Sequence, residues 1–180
     1  SAIWLDKAVG IYDRDYYRGE RTGIQLRAPT TIVGYLILIN VALWLLGFLF
    51  NTRVVADTLA LRVADLAEPW MWWRLITYGF VHAAAPLHLL GNMIGLWFFG
   101  REIELVYGRK EFVRLYLLLL LAGSVLWAGI NYAQGVQGML LGASGAVTGI
   151  IILFALHFPR RTVLLMFILP IPAWLLGVLL

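Results

Sequence analysis

Hydrophobic residues fall into long runs along this chain, and the polar positions between the runs mark five expected membrane spans. A helix needs about 20 consecutive apolar residues to cross a bilayer. The apolar runs occupy 30–50, 87–100, 111–132, 144–158 and 163–180. Pro170 and Pro172 are expected to bend or break the last span, which a membrane helix tolerates when neighbouring helices satisfy the freed backbone groups. The pattern predicts an all-α, polytopic membrane helix bundle with five transmembrane helices in this chain.

The composition agrees with a membrane protein and excludes several kinds of site. Hydrophobic residues make up 62% of the 180 residues and charged residues only 13%, whereas soluble domains carry about 25% charged residues. The chain has no cysteine, so disulfides and thiolate metal sites are excluded. The sequence contains neither a phosphate-binding glycine loop nor a basic nucleic-acid patch, and its histidines lack the spacing of a zinc site. We expect no cofactor, no metal and no nucleic-acid partner.

The polar segments divide the chain into two expected regions. Residues 1–29 carry charges and tyrosines and are too polar to insert, so we expect a cytoplasmic N-terminal segment, either a short interfacial helix or a loosely ordered tail. Residues 30–180 form the membrane domain, which we expect to be C-terminally incomplete because the sequence stops within an apolar run. Its long connector, 51–86, is amphipathic and rich in tryptophan, which predicts short helices in the outer headgroup layer.

The distribution of lysine and arginine predicts the orientation of the spans. Segments 1–29, 101–114 and 159–162 contain five, four and two such residues, against three in 51–86 and none in 133–141. Because basic loops stay in the cytoplasm, the N-terminus is expected there, and the connector is expected outside. Ser144 then lies near the outer end of its span, at the same depth as His88 and Asn92. A bacterial inner membrane suits this bias.

Ser144 lies between small residues at the start of the fourth span, in the run Gly142-Ala143-Ser144-Gly145. The first N–H groups of a helix lack internal partners, and the helix dipole there favours negative charge. A tetrahedral oxyanion formed on Ser144 is therefore expected to be stabilised. The alternative is helix packing, because Gly145 and Gly149 form a Gly-x-x-x-Gly pattern.

His88 and Asn92 are four residues apart and share one helix face. Both side chains can donate hydrogen bonds, and two donors aimed at one point are what an oxyanion needs. The alternative is a structural pair that joins neighbouring helices. Of the other histidines, His82 is expected to be a solvated residue of the interface. His157 lies about 20 Å along the helix from Ser144, so the chain offers no convincing general base.

Other polar residues receive structural interpretations. Arg74 is expected to reach a lipid phosphate or a backbone carbonyl at the interface. Glu102 and Glu104 are expected to bond helix N-termini or to pair with Arg109 or Lys110.

The ordered set of motifs resembles the rhomboid intramembrane serine proteases over residues 30–180. The matching features are Trp73-Arg74, the run HLLGNMIGLWFFG that begins at His88, Glu104, Gly142-Ala143-Ser144-Gly145, the Pro159-Arg160-Arg161 turn and the stretch from Leu169 to Pro172. The resemblance implies a rhomboid-like bundle whose sixth helix follows Leu180. That helix would carry the catalytic histidine in an Ala-His-x-x-Gly setting and would pack against Gly145 and Gly149.

The same resemblance implies a role for each candidate site residue. Ser144 would be the nucleophile, and its N–H group would form the oxyanion hole with His88 and Asn92. Gly142 and Gly145 would shape the entrance, and the general base would come from outside this chain. The implied partners are the lipid bilayer and transmembrane protein substrates, which would be cleaved near the outer face. The alternatives are a non-catalytic rhomboid-like protein that binds transmembrane clients and, less favoured, a small transporter or channel.

Overall fold

The computed structural model describes residues 30–165 and 168–180, so the predictions for residues 1–29 lie outside the described residues. The described chain is mainly helical. Its α-helices are α1 (Ile32–Phe50), α2 (Thr52–Leu59), α3 (Arg74–Thr77), α4 (Pro86–Gly95), α5 (Arg101–Tyr107), α6 (Arg109–Ala133), α7 (Ser144–His157) and α8 (Ala173–Leu179). Short strands are β1 (Leu61–Arg62), β2 (Met139–Leu140), β3 (Thr162–Leu165) and β4 (Leu169–Pro172). A π-helical turn, Leu96–Gly100, joins α4 to α5, and 3-10 turns occupy Val63–Ala67, Pro69–Met71 and Tyr78–Phe80.

Two described helices, α1 and α6, are long and apolar enough to cross a membrane. Their observed bounds lie within two residues of the predicted spans, because an uninterrupted apolar run has no competing pattern. The helix α7 begins at Ser144 as predicted, but it has only 14 residues, and α8 has seven. The count of five transmembrane helices therefore stays a prediction.

The start of α1 is held by a glutamate from another helix. Glu104 is buried and accepts hydrogen bonds from the N–H groups of Ile32 and Val33, at 2.9 and 3.0 Å. Arg109 lies 4.0 Å from the same carboxylate. Both expected roles of Glu104 are thus confirmed, and its negative charge sits where the helix dipole favours it. Glu102 pairs instead with Arg161, at 2.6 Å.

The predicted fifth span is wrong in its first part. Strands β3 and β4 pair antiparallel there, with Val163 opposite Ile171 and Leu164 opposite Pro170. Proline has no N–H group to donate, and a strand at a sheet edge tolerates this. Both prolines therefore lie in β4 rather than bending a helix. The helix α8 begins only at Ala173, whose N–H group donates to the carbonyl of Arg161 at 2.8 Å.

Helix α7 packs against α6, α8 and the α4–α5 helix. A β-carbon at Gly95 would lie 2.8 Å from Val147, and one at Gly149 would lie 2.5 Å from Leu119 of α6. The packing interpretation of Gly149 is therefore confirmed. Packing of Gly149 against a helix after Leu180, which the resemblance implies, stays a prediction. Gly145 is exposed within the described residues.

The connector consists of short helices, as predicted, and its three tryptophans are exposed. Strand β1 pairs with β2, which joins the connector to the loop that precedes α7. The N–H group of Val63 also donates to the carbonyl of Gly138, at 3.3 Å. The connector thereby fixes the loop that leads to Ser144.

Arg74 organises the connector from within. Its side chain is 10% exposed, and one terminal nitrogen donates to both carboxylate oxygens of Asp65 at 3.1 Å. The other terminal nitrogen donates to the carbonyl of Asp57 at 3.0 Å. Of the two expected targets the backbone carbonyl is confirmed, and the charge is balanced by a buried carboxylate rather than by a lipid.

Candidate active site

Gly142 gives the loop before Ser144 a conformation that other residues rarely adopt. Its φ is +106°, and a β-carbon there would lie 2.9 Å from Cε1 of His88. Both the backbone conformation and the space therefore require glycine. The N–H group of Gly142 donates to the carbonyl of Tyr78 at 3.0 Å, which anchors the loop to the connector. Ser144 then begins α7 with an exposed side chain.

Ser144 and His88 both have side-chain atoms close to Gly142. A β-carbon built on Gly142 would lie 3.3 Å from Nε2 of His88 and 4.0 Å from the hydroxyl oxygen of Ser144. The imidazole and the hydroxyl therefore both lie close to the position that a β-carbon would occupy at Gly142. His88 is partly buried, and its carbonyl accepts from the amide of Asn92 at 2.9 Å, one turn along α4.

His82 belongs to this cluster, and the expectation of a solvated interface histidine is wrong. Its side chain is buried, and its Nε2 lies 3.3 Å from the amide nitrogen of Asn92. The same nitrogen accepts from the N–H group of Ala143 at 3.4 Å. The rings of His82 and His88 lie 5.4 Å apart. His82 thus joins the two expected donors on α4 to the residue before Ser144.

His82 lies in the amphipathic connector and not in a continuous apolar run, so the hydrophobic pattern does not predict that its side chain is buried. The one available signal was its apolar setting, because small and aliphatic residues flank it from 81 to 85. Burial lowers the pKa of His82 to about 4, and the neighbouring His88 adds to this effect. The imidazole is therefore neutral at pH 7, and its Nε2 can accept a hydrogen bond.

None of the three histidines of the chain hydrogen-bonds to the Ser144 hydroxyl among the described residues. His157 lies at the other end of α7, where its Nε2 is 3.2 Å from the Tyr107 hydroxyl. A serine needs an adjacent base to become a nucleophile. In the described ranges, 30–165 and 168–180, no group of three acidic or histidine side chains is placed to hold a metal ion.

Comparison with known proteins identifies the family of the chain. Residues 69–180 match the family model of the Rhomboid domain. The chain is 32% identical over 178 residues to RHOMBOID-like protein 12, mitochondrial, of Arabidopsis thaliana, covering 91% of this chain and 52% of that protein. It is 29% identical over 121 residues to the putative rhomboid protease YdcA of Bacillus subtilis, covering 66% of this chain and 58% of YdcA. It is 34% identical over 80 residues to the rhomboid protease GluP of the same bacterium, covering 42% of this chain and 15% of GluP. The chain thus spans about half the length of the first of these relatives.

Proposed function

Because the chain belongs to the rhomboid family of membrane-embedded serine proteases, we propose that it is the core of an intramembrane serine endopeptidase. Its substrates are transmembrane proteins, cleaved near the outer membrane face. Ser144 is the nucleophile, His88 and Asn92 donate to the oxyanion, and Gly142 and Gly145 shape the entrance. The reaction is attack on the scissile carbonyl, collapse of a tetrahedral intermediate to an acyl-enzyme, and hydrolysis of that ester.

The observation that carries this proposal is the convergence of Ser144 and His88 on the space beside Gly142. Both side chains lie within 4.0 Å of the β-carbon position of that glycine. A substrate carbonyl bound next to Gly142 would lie near the hydroxyl of Ser144 and near the imidazole of His88, whose ring N–H group is the proposed donor. Donors fixed in advance stabilise the developing oxyanion without reorganisation, and each contributes about 10²–10³-fold in rate.

The N-terminus of α7 supplies a further donor. Ser144 is the first residue of the helix, so its N–H group has no intrahelical acceptor. The partial positive charge of a helix N-terminus adds to the same effect. Ser144 thus contributes its hydroxyl as nucleophile and its backbone as part of the oxyanion hole.

The general base of the proposed Ser-His dyad comes from a histidine outside this sequence. His82 is committed to Ala143 and Asn92, His157 is about 20 Å away along α7, and His88 serves as a donor. A sixth helix after Leu180 is the proposed source. Residues 30–180 are then an incomplete membrane domain, inactive by themselves.

The test is cleavage of a single-span reporter by the full-length protein in its membrane. Ser144→Ala is expected to lower cleavage by about 10⁴-fold or more, because removal of a nucleophile leaves only background catalysis. Ser124→Ala is the control, because Ser124 is buried in α6 and donates only to the carbonyl of Leu121. Unchanged cleavage by Ser144→Ala would overturn the proposal.

A non-catalytic, client-binding rhomboid is the second candidate. It is favoured by the lack of a histidine bonded to the Ser144 hydroxyl among the described residues. Co-purification of a transmembrane client that is never cleaved, at equal yield with wild type and Ser144→Ala, would support this candidate over the protease.

The proposed orientation puts the N-terminus and the Arg160-Arg161 turn in the cytoplasm and Ser144 toward the outer face. The protein is membrane-embedded, as its family is. The relatives found are mitochondrial and chloroplastic plant proteins as well as bacterial ones. These relatives do not favour a location in the bacterial inner membrane over a location in another membrane. We therefore propose only the orientation of the chain in its membrane.

A further inference from the structure

Helix α1 contributes one side chain to the segment that carries His82. The indole N–H group of Trp44 donates to the carbonyl of Ala83 at 3.0 Å, across 39 positions of the chain. The ring of Trp44 is stacked on the ring of Phe48, with ring centres 5.9 Å apart and 15° between the ring planes. Because residues four apart on a helix are neighbours, this stack lies along α1 and holds the indole in one direction. The donor therefore reaches Ala83 from a fixed position.

The segment that receives this hydrogen bond has little other backbone support. Residues 81–85 have no regular secondary structure. Within the described ranges their backbone otherwise makes only local hydrogen bonds, with Tyr78 and His88. Non-helical backbone in a membrane protein is tolerated where other groups satisfy it. The hydrogen bond from Trp44 thus ties this segment to a distant helix.

His82 links the position of this segment to the candidate active site. It directly precedes Ala83, and its Nε2 accepts from the N–H group of Ala143 at 3.4 Å and lies 3.3 Å from the amide nitrogen of Asn92. Both contacts pass through one ring atom, so a displacement of the His82 backbone changes both together. Ala143 precedes Ser144, and Asn92 is a proposed oxyanion donor. Misplacement of site groups by about 1 Å can lower a rate by about 10²-fold.

We propose that Trp44 is a positioning residue that holds the carbonyl of Ala83 and thereby fixes the side chain of His82. In that position His82 contacts both Ala143 and Asn92. The inference rests on the proposed function, because it assigns Trp44 to the same site. The competing interpretation is an interfacial aromatic residue, whose hydrogen bond stabilises the protein without affecting the site. The two interpretations differ in what the loss of the N–H group does to His82.

The activity arm of the test measures reporter cleavage by the full-length protein in its membrane. Trp44→Phe keeps an aromatic ring next to Phe48 and removes the N–H donor. We expect kcat to fall about tenfold and KM to change by less than about twofold, because the lost positioning acts in the transition state and not on substrate binding.

Trp72→Phe is the matched control for this variant. The indole N–H group of Trp72 also donates to a backbone carbonyl, that of Leu66 at 3.3 Å, but this bond is exposed and lies within the connector. The same atoms are removed in both variants, and only Trp44 contacts the residue that follows His82. Trp72→Phe is expected to retain the wild-type kcat.

The structural arm of the test does not depend on activity. NMR of the histidine side-chain nitrogens, in the full-length protein in detergent, reports on the ring of His82, whose signals are assigned by their loss in His82→Gln. These signals are expected to shift in Trp44→Phe and to stay in place in Trp72→Phe. Thermal unfolding checks that both variants remain folded.

Three outcomes would overturn the positioning role of Trp44. A wild-type kcat in Trp44→Phe, or unshifted His82 signals in that folded variant, would favour an interfacial tryptophan. An equal fall of kcat in Trp44→Phe and Trp72→Phe would mean a general loss of stability. A rise in KM at unchanged kcat would mean a role in binding substrate. Absence of cleavage by the wild type would instead overturn the proposed function, and the NMR arm would still decide whether Trp44 fixes His82.

Discussion

Replacement of Gly142 by alanine is expected to lower activity strongly while leaving the fold largely intact. Alanine at the φ of +106° is strained by about 1–3 kcal/mol. Its β-carbon would lie 2.9 Å from Cε1 of His88, closer than carbon atoms approach, so the imidazole must move. Loss of one oxyanion donor lowers the rate by about 10²–10³-fold. The predicted fall in kcat/KM is therefore about 10²-fold or more.

Gly135→Ala is the matched control for this variant. Gly135 also has a positive φ, +66°, but a β-carbon there meets no atom within 4 Å. Both variants carry backbone strain, and only Gly142→Ala displaces His88. Reporter cleavage in membranes measures activity, and thermal unfolding in detergent measures stability. Equal activity of the two variants, at equal unfolding temperatures, would refute the assignment of the site to the space beside Gly142.

Three further predictions concern residues around the site. His82→Ala is expected to lower kcat more than it raises KM. His82→Gln is expected to recover part of the lost kcat, because the glutamine side chain can still accept a hydrogen bond from the N–H group of Ala143. Equal defects in both variants would contradict a positioning role for His82. The pKa of His82 is lowered from an ordinary 6.5 to about 4, so between these pH values the unfolded state binds a proton at His82 that the folded state does not bind. The stability of the protein should therefore fall as the pH drops from about 6.5 to 4. The unfolding temperature of His82→Gln should fall less over the same pH range. Arg74→Ala is expected to destabilise the protein by about 3–5 kcal/mol, because it leaves the buried Asp65 carboxylate unpaired. Arg62→Ala breaks only an exposed ion pair with Asp57 and should lower the stability by under about 1 kcal/mol. Thermal unfolding measures both variants.

The sequence was a good guide where one physical signal dominated. The bounds of α1 and α6 and the start of α7 at Ser144 followed from apolar runs and from the polar residues that end them. The charge bias alone predicts a shared depth for Ser144 and His88, and both side chains lie within 4.0 Å of the β-carbon position of Gly142. Each motif is weak evidence by itself, and the resemblance to a family rests on the order in which the motifs occur.

The sequence was a poor guide where tertiary contacts decide. Hydrophobicity cannot distinguish a membrane helix from apolar paired strands, so it predicts a span at Val163, which instead pairs with Ile171 in a sheet. The burial of His82 depends on the return of the connector to the loop before α7, which β1 and β2 bring about. The positive φ of Gly142 and the hydrogen bond from its N–H group to the carbonyl of Tyr78 likewise join segments that are far apart in the sequence.

The most direct test of the proposed nucleophile is covalent labelling of the full-length protein in its native membrane with a fluorophosphonate. Mass spectrometry of the peptides would then locate the adduct. The proposed site predicts one adduct, on Ser144, which Ser144→Ala removes and Ser124→Ala retains. A protein that cleaves its reporter but carries the adduct on another residue, or carries none, would contradict the assignment of Ser144 as the nucleophile.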